Sequence, residues 1–176
     1  MSDIWIFGYG SLIWRPDLDY IEQRVARVDG WTRKFWQGSH DHRGVAQAPG
    51  RVATLIPQAD GVCEGVAYLI GPAVAQASFE MLDYREKNGF ERHDVPLIFS
   101  DGSATNGVVY IAGKGNVAYL GPAPIDEMVQ QIRTSVGPSG ANISYLLELA
   151  SALRRLGIHD EHVFELERLT QVTDSS

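Results

Sequence analysis

The spacing of apolar residues changes along this chain. Up to about residue 112 they mostly alternate with polar ones, and from Ile125 onward they recur every three or four positions. Alternation fits strands with one buried face, and the longer spacing fits amphipathic helices. Trp5 to Tyr9 reads as the first strand. Arg24 to Val28 and Trp31 to Gly38 read as two more, around a turn at Asp29-Gly30. "RVATLIP" and "CEGVAYLI" follow as separate strands, with "QADG" as the turn between them. In the second of these, Val66, Tyr68 and Ile70 share one face, with Gly65, Ala67 and Leu69 on the other.

A helix is predicted from about Pro72 to Lys87, with Val74, Ala77, Met81, Leu82 and Arg85 near one stripe and Asn88-Gly89 as its stop. "HDVPLIFS" and "NGVVYIAG" read as a hairpin across "DGSAT". The last third is helical in pattern. Ile125, Met128, Val129, Ile132 and Val136 make one stripe, which "GPSG" breaks. Ile143, Leu146, Leu147, Ala150 and Leu153 make a second, ending at Gly157. A third starts at Asp160, with Val163, Leu166 and Leu169 inward. The pattern predicts an α+β fold: a curved or barrel-like sheet with one embedded helix and a helical C-terminal portion. With 176 residues, a single domain over 1–176 is expected.

Composition narrows the function. The chain is 44% hydrophobic and 21% charged, as in a folded protein. Its formal charge of −7 argues against a nucleic-acid partner or an anionic membrane, both of which demand a basic face. Basic residues still gather locally at Arg33-Lys34, Arg43 and Arg51. The one cysteine, Cys63, excludes an internal disulfide and a Cys-rich zinc site, and its place in a strand reads as a small buried hydrophobe. No secretory signal and no apolar run of about 20 residues is visible, so a cytoplasmic protein is expected. Nothing in the sequence specifies an oligomeric state.

Several segments carry candidate chemistry. In "IWIFGYGSLIW", Gly8 and Gly10 flank Tyr9 directly after a strand. Glycine lets a ligand approach the main chain, and successive amides there can converge on an anion. A tight turn with a bulge would account for the same residues; no Lys follows as in a P-loop, and the third glycine of a dinucleotide fingerprint is missing. In "WQGSHDHRG", His40 and His42 read as members of a polar loop that satisfies itself rather than as metal ligands. His159 and His162 read as a solvated helix face. No G-x-S-x-G is present. Glu86 falls in the last turn of the predicted helix, where the dipole raises its proton affinity toward that of a general base; taken singly, a surface glutamate with Arg and Lys neighbours is the better account of the same residue. Around "GPSGANISYL", helix capping suffices to explain Ser139 or Asn142.

Read together, "FGYGSLIW", "FWQGSHDHRG", "PGRVATL", "GVAYLI", "YREKNGF", "YLGPAP" and "GPSGANISYL" occur in an order and spacing that resemble the ChaC family of glutathione-specific γ-glutamylcyclotransferases. The resemblance covers about Ile4 to Leu169. It implies a small mixed β-barrel with helices, and cleavage of glutathione to 5-oxoproline and cysteinylglycine without metal or organic cofactor. It implies Glu86, within Arg85-Glu86-Lys87, as the catalytic acid/base. It implies Phe7, Gly8, Tyr9, Gly10, Ser11 and Leu12 as the substrate-binding turn, with Ile6 leading into it. Arg43, Tyr119 and Tyr145 are further candidates for pocket walls or carboxylate contacts. Phe90 departs from the Tyr that family members commonly carry after R-E-K-x-G. The alternatives are a cyclotransferase for other γ-glutamyl amines or amino acids, and a non-catalytic γ-glutamyl-binding module.

Overall fold

The computed structural model describes residues 3–85, 90–112 and 115–172. These divide into two compact units, Met1–Arg33 with Leu55–Val117 and Lys34–Thr54 with Ala118–Ser176.

The first unit is built on a closed barrel of five strands. They are β1 (Ile4–Gly8), β2 (Glu22–Ser39), β3 (Gly50–Ile70), β4 (Phe90–Phe99) and β5 (Ala104–Ala112), and the unit boundaries fall inside β2 and β3. Around the barrel the order is β1-β3-β2-β4-β5. β1 runs antiparallel to β3, from Ile4 opposite Ile70 to Gly8 opposite Val66. β4 and β5 form the expected hairpin, closed by Gly102 at φ 87° and a bond from the Phe99 amide to the Ser103 carbonyl at 2.8 Å. A short parallel pairing of Trp5 with Gly107 and Ile6 with Val108 shuts the barrel. A cluster of Ile6, Leu12, Ile70, Ala75 and Tyr110 joins the barrel to the helix α1 (Pro72–Arg85). On that helix Val74 packs against the cluster as predicted, while Ala77 is exposed and Ala75 is buried. The predicted continuation to Lys87 and the stop at Asn88-Gly89 lie outside the described residues.

Two predicted turns are not turns. Asp29-Gly30 lies within β2 and "QADG" within β3, and each stretch is one long strand. The two strands are neighbours, and a Cβ on Gly61 would lie 2.9 Å from the Trp31 carbonyl oxygen. Each pseudo-turn is thus held straight beside the other. Gly30 has φ 87°, a backbone conformation that favours glycine.

The second unit packs α2 (Ile125–Thr134), α3 (Asn142–Arg155) and α4 (Glu161–Gln171) on one another. Met128, Val129 and Ile132 are the inward stripe of α2, as predicted. Val136 is instead exposed in β6 (Val136–Gly137), which pairs with β7 (Gly140–Ala141). Leu146, Ala150 and Leu153 are buried on α3 with Leu149, which the predicted stripe had omitted. Asp160 caps α4, its carboxylate accepting the Val163 amide at 3.0 Å. No helix among the described residues is long and apolar enough to cross a membrane.

Candidate active site

The turn that follows β1 is held from several directions within the first unit. Gly8 lies so close to the segment it introduces that a Cβ there would sit 2.9 Å from Leu12 Cβ. Across the strand pair, a Cβ on Gly65 would overlap the Gly8 carbonyl oxygen. These glycines are required by close approach of one backbone to another. The Gly10 carbonyl accepts the Ile13 amide at 3.0 Å and the Ser11 carbonyl accepts the Arg15 amide at 2.8 Å, forming a 3₁₀ turn over Ser11–Ile13.

Two side chains bind the carbonyls of this turn, and a third anchors the turn to β5. Arg33, on β2, donates from Nε to the Tyr9 carbonyl at 2.8 Å and from Nη2 to the Glu64 carbonyl. The Tyr68 hydroxyl on β3 donates to the Leu12 carbonyl at 2.7 Å and the Ile13 carbonyl at 3.2 Å. The Tyr9 hydroxyl donates to the Tyr110 carbonyl on β5. Burial pushes the Tyr68 phenol above its ordinary range, and nearby Tyr20 adds to the shift. The side chains of Ile6, Phe7, Tyr9 and Leu12 are buried. What this turn can offer a ligand is therefore chiefly main chain.

Arg43, Tyr119 and Tyr145 lie in the second unit. The Arg43 amide donates to Ser39 Oγ at 2.8 Å, and its Nη1 donates to the Ala141 carbonyl at 3.2 Å. Its guanidinium carbon stands 5.8 Å from the centroid of the Tyr145 ring. The Tyr145 hydroxyl accepts the Ala53 amide at 3.3 Å. Tyr119 pairs with Gln37 in an isolated β-bridge, and its ring lies against Gly121, which has φ 72°. Arg51, in the same unit, is an anchor: Nε donates to Gln131 Oε1 at 2.7 Å, and Nη1 to the Phe35 and Gly121 carbonyls at 3.0 and 2.9 Å. Burial lowers the proton affinity of this guanidinium, and the charge of Glu127 opposes that.

The structure brings Ile6 to Leu12 together in one segment and sets Arg43 against Tyr145. Glu86 lies outside the described residues. The polar loop does not satisfy itself: His42 meets Ser139 Oγ, outside the loop, at 3.2 Å, and His40 Nε2 is buried without a hydrogen-bond partner among the described residues. His162 does not lie on a solvated face: its Nε2 accepts the Phe35 amide at 3.0 Å. Asn142 is not a cap. α3 is preceded by Ala141, while the Asn142 carboxamide accepts the Arg51 amide and donates to the Arg51 carbonyl, both at 2.8 Å. Sequence reasoning missed Arg33 as a brace of the turn. The signal was present: Trp31, Arg33 and Phe35 share one face of an alternating strand, and an arginine beside Phe35 on an inward face calls for internal acceptors.

Residues 4–173 match the family described as ChaC-like protein. The chain is 40% identical over 173 residues to glutathione-specific γ-glutamylcyclotransferase 1 of Danio rerio, covering 94% of this chain and 88% of the relative. It is 40% identical over 166 residues to the Homo sapiens protein of the same name, covering 91% and 75%. The crystal structure of a γ-glutamyl cyclotransferase specific to glutathione from yeast superposes with a TM-score of 0.92 at 33% identity, covering 97% of this chain and 96% of that one. The barrel with helices described above is the fold of that enzyme.

Proposed function

Because the chain belongs to the ChaC-like family, we propose that it is a γ-glutamylcyclotransferase that cleaves glutathione to 5-oxoproline and cysteinylglycine in the cytoplasm. The observation that carries this reading is family membership across residues 4–173, in a chain that keeps the turn "FGYGSL" with its carbonyls bound and its glycines in close contact.

The α-amine of the γ-glutamyl group attacks its own γ-carbonyl carbon. A C–N bond forms to close the lactam, and the amide bond to cysteine breaks. The nucleophile belongs to the substrate, so no nucleophilic Ser or Cys is needed. A free α-ammonium has a pKa of about 8 and must lose a proton before attack. Glu86 takes that proton and delivers it to the leaving nitrogen, and the second proton, which the attacking nitrogen sheds as the lactam closes, passes to the departing amine. Main-chain amides around Tyr9, Gly10 and Ser11 hold the γ-glutamyl group and stabilise the tetrahedral oxyanion. One such donor is worth about 3 kcal/mol of barrier in acyl transfer. Ile6, Phe7, Gly8 and Leu12 shape that turn, and holding the substrate curled adds rate through orientation. Arg43, Tyr119 and Tyr145 serve as pocket walls or carboxylate contacts.

The test is incubation of the purified protein with reduced glutathione and EDTA, following 5-oxoproline and cysteinylglycine by mass spectrometry. Glu86→Gln and γ-glutamyl-alanine are run in parallel. Both products are expected from the wild type with glutathione, and about 100-fold less or lower from Glu86→Gln at unchanged fold. Absence of 5-oxoproline from either substrate would overturn the enzyme reading. Equal turnover of γ-glutamyl-alanine would overturn the specificity.

A further inference from the structure

We propose that Arg33 is a positioning residue for this reaction, one that sets the direction of the Gly10 amide; the proposal rests on the turn's role given above. Arg33 is 2% exposed and is among the largest fully buried side chains of the described residues. A buried guanidinium is costly unless its donors are used. Here two donors reach main-chain carbonyls, those of Tyr9 and Glu64, on the two segments that meet at the turn. Glu64 precedes Gly65, the residue against which the Gly8 carbonyl is packed. One side chain therefore ties the turn to the strand that supports it.

The consequence lies in the peptide plane that joins Tyr9 to Gly10. Its carbonyl and its N–H point in opposite directions in a trans peptide, and the described residues contain no cis peptide. Drawing the Tyr9 carbonyl onto the buried guanidinium turns the Gly10 N–H the other way. The surrounding atoms are fixed independently. The Tyr9 ring is anchored through its hydroxyl to Tyr110, and the Gly10 carbonyl is engaged by Ile13. The plane between them carries the bond to Arg33. Gly10 has no Cβ to resist a peptide flip, so loss of the brace lets the plane rotate. A flipped plane would present a carbonyl oxygen in place of a donor to the developing oxyanion. The ground state, in which the γ-carbonyl is neutral, would be affected far less.

The test compares wild type with Arg33→Lys and Arg33→Met. It reads kcat and KM for glutathione, circular dichroism, and the ¹⁵N–¹H resonance of Gly10. Lysine keeps the charge but lacks the fork that spans two carbonyls. Both variants are expected to lose about 10- to 100-fold in kcat, with KM within about threefold, since a misaimed donor costs part of the 10²- to 10³-fold that loss of one donor costs. The Gly10 resonance is expected to move in both. Folded variants with kcat within twofold of wild type, or with KM raised at constant kcat, would overturn the proposal. Should the wild type not cleave glutathione, the function reading fails by itself. The Gly10 resonance then decides whether Arg33 sets the direction of the Gly10 amide: displaced in Arg33→Lys that assignment stands, unmoved it falls. If neither variant folds, the unmodified chain decides. A slowly exchanging Arg33 Nε proton with scalar coupling to the Tyr9 carbonyl carbon supports the brace, and a rapidly exchanging one overturns it.

Discussion

Replacing Asn142 with alanine removes a side chain that is fully buried and bonded at both ends. Its carboxamide satisfies the amide and the carbonyl of Arg51, each at 2.8 Å. Alanine strips both groups of their partners in a dry interior. Each unpaired group costs about 1–3 kcal/mol, and burying one carboxamide fewer offsets part of that. The expected net loss is about 3 kcal/mol, a large share of a total stability of about 5–15 kcal/mol. For a chain of this size that corresponds to a fall in Tm of about 6–12 °C. Serine separates this account from capping. If Asn142 served as a cap, serine would hold the helix start to within a few tenths of a kcal/mol. A single short hydroxyl cannot span both Arg51 groups, so Asn142→Ser is expected to lose nearly as much as alanine. Urea melts followed by circular dichroism, analysed with a common slope, give the comparison. An alanine variant within about 0.5 kcal/mol of wild type, or a serine variant equal to it, would refute the reasoning.

Gly65→Ala places a Cβ over the Gly8 carbonyl oxygen and 3.0 Å from Phe7 Cζ. Overpacking against backbone should cost about 1–3 kcal/mol, read from a thermal melt, and lower kcat by displacing the end of β1; unchanged values for both would contradict the close approach. Tyr68→Phe removes the hydroxyl that binds the Leu12 and Ile13 carbonyls, at a cost of about 1 kcal/mol near neutral pH. Burial raises the Tyr68 phenol above the free value of about 10, so its contribution is complete below about pH 10 and is lost as pH rises toward the folded value. Wild-type stability should therefore fall more steeply than that of Tyr68→Phe between about pH 10 and 11.5, measured by urea midpoints. Parallel slopes would show that Tyr68 does not titrate with folding.

The hairpin of β4 and β5 was legible because "DGSAT" has turn chemistry and both flanking runs are rich in β-branched residues. α3 and α4 were legible from their spacing, and the start of α4 from Asp160 standing before an apolar stripe. Asp29-Gly30 and "QADG" misled for the opposite reason. Local turn propensity is weak against a full ladder, and the neighbour that overrides it lies about 30 residues away, as Gly61 lies from Trp31. The site divides the same way. The glycines of the turn can be seen in sequence because close approach demands them. Its braces are only half visible: the alternation of Trp31, Arg33 and Phe35 marks Arg33 as inward, but that it meets the turn, as Tyr68 and Tyr110 do, follows from strand order and not from spacing. Asn142 was read as a cap because its residue type and its place before a helix agree with that role; that its partner is Arg51 emerges from tertiary structure alone.

The parallel pairing that shuts the barrel has a consequence for the order of assembly. Trp5 and Ile6 find Gly107 and Val108, and the Tyr9 hydroxyl finds the Tyr110 carbonyl 101 positions away. Contacts of that span incur the largest loop-closure entropy and arise late in folding. During synthesis β1 leaves the ribosome with neither partner strand available, and the Tyr110 anchor follows Tyr9 by 101 positions. The turn is thus completed among the last, and a nascent chain released before β5 has the Arg33 and Tyr68 braces without the Tyr110 anchor.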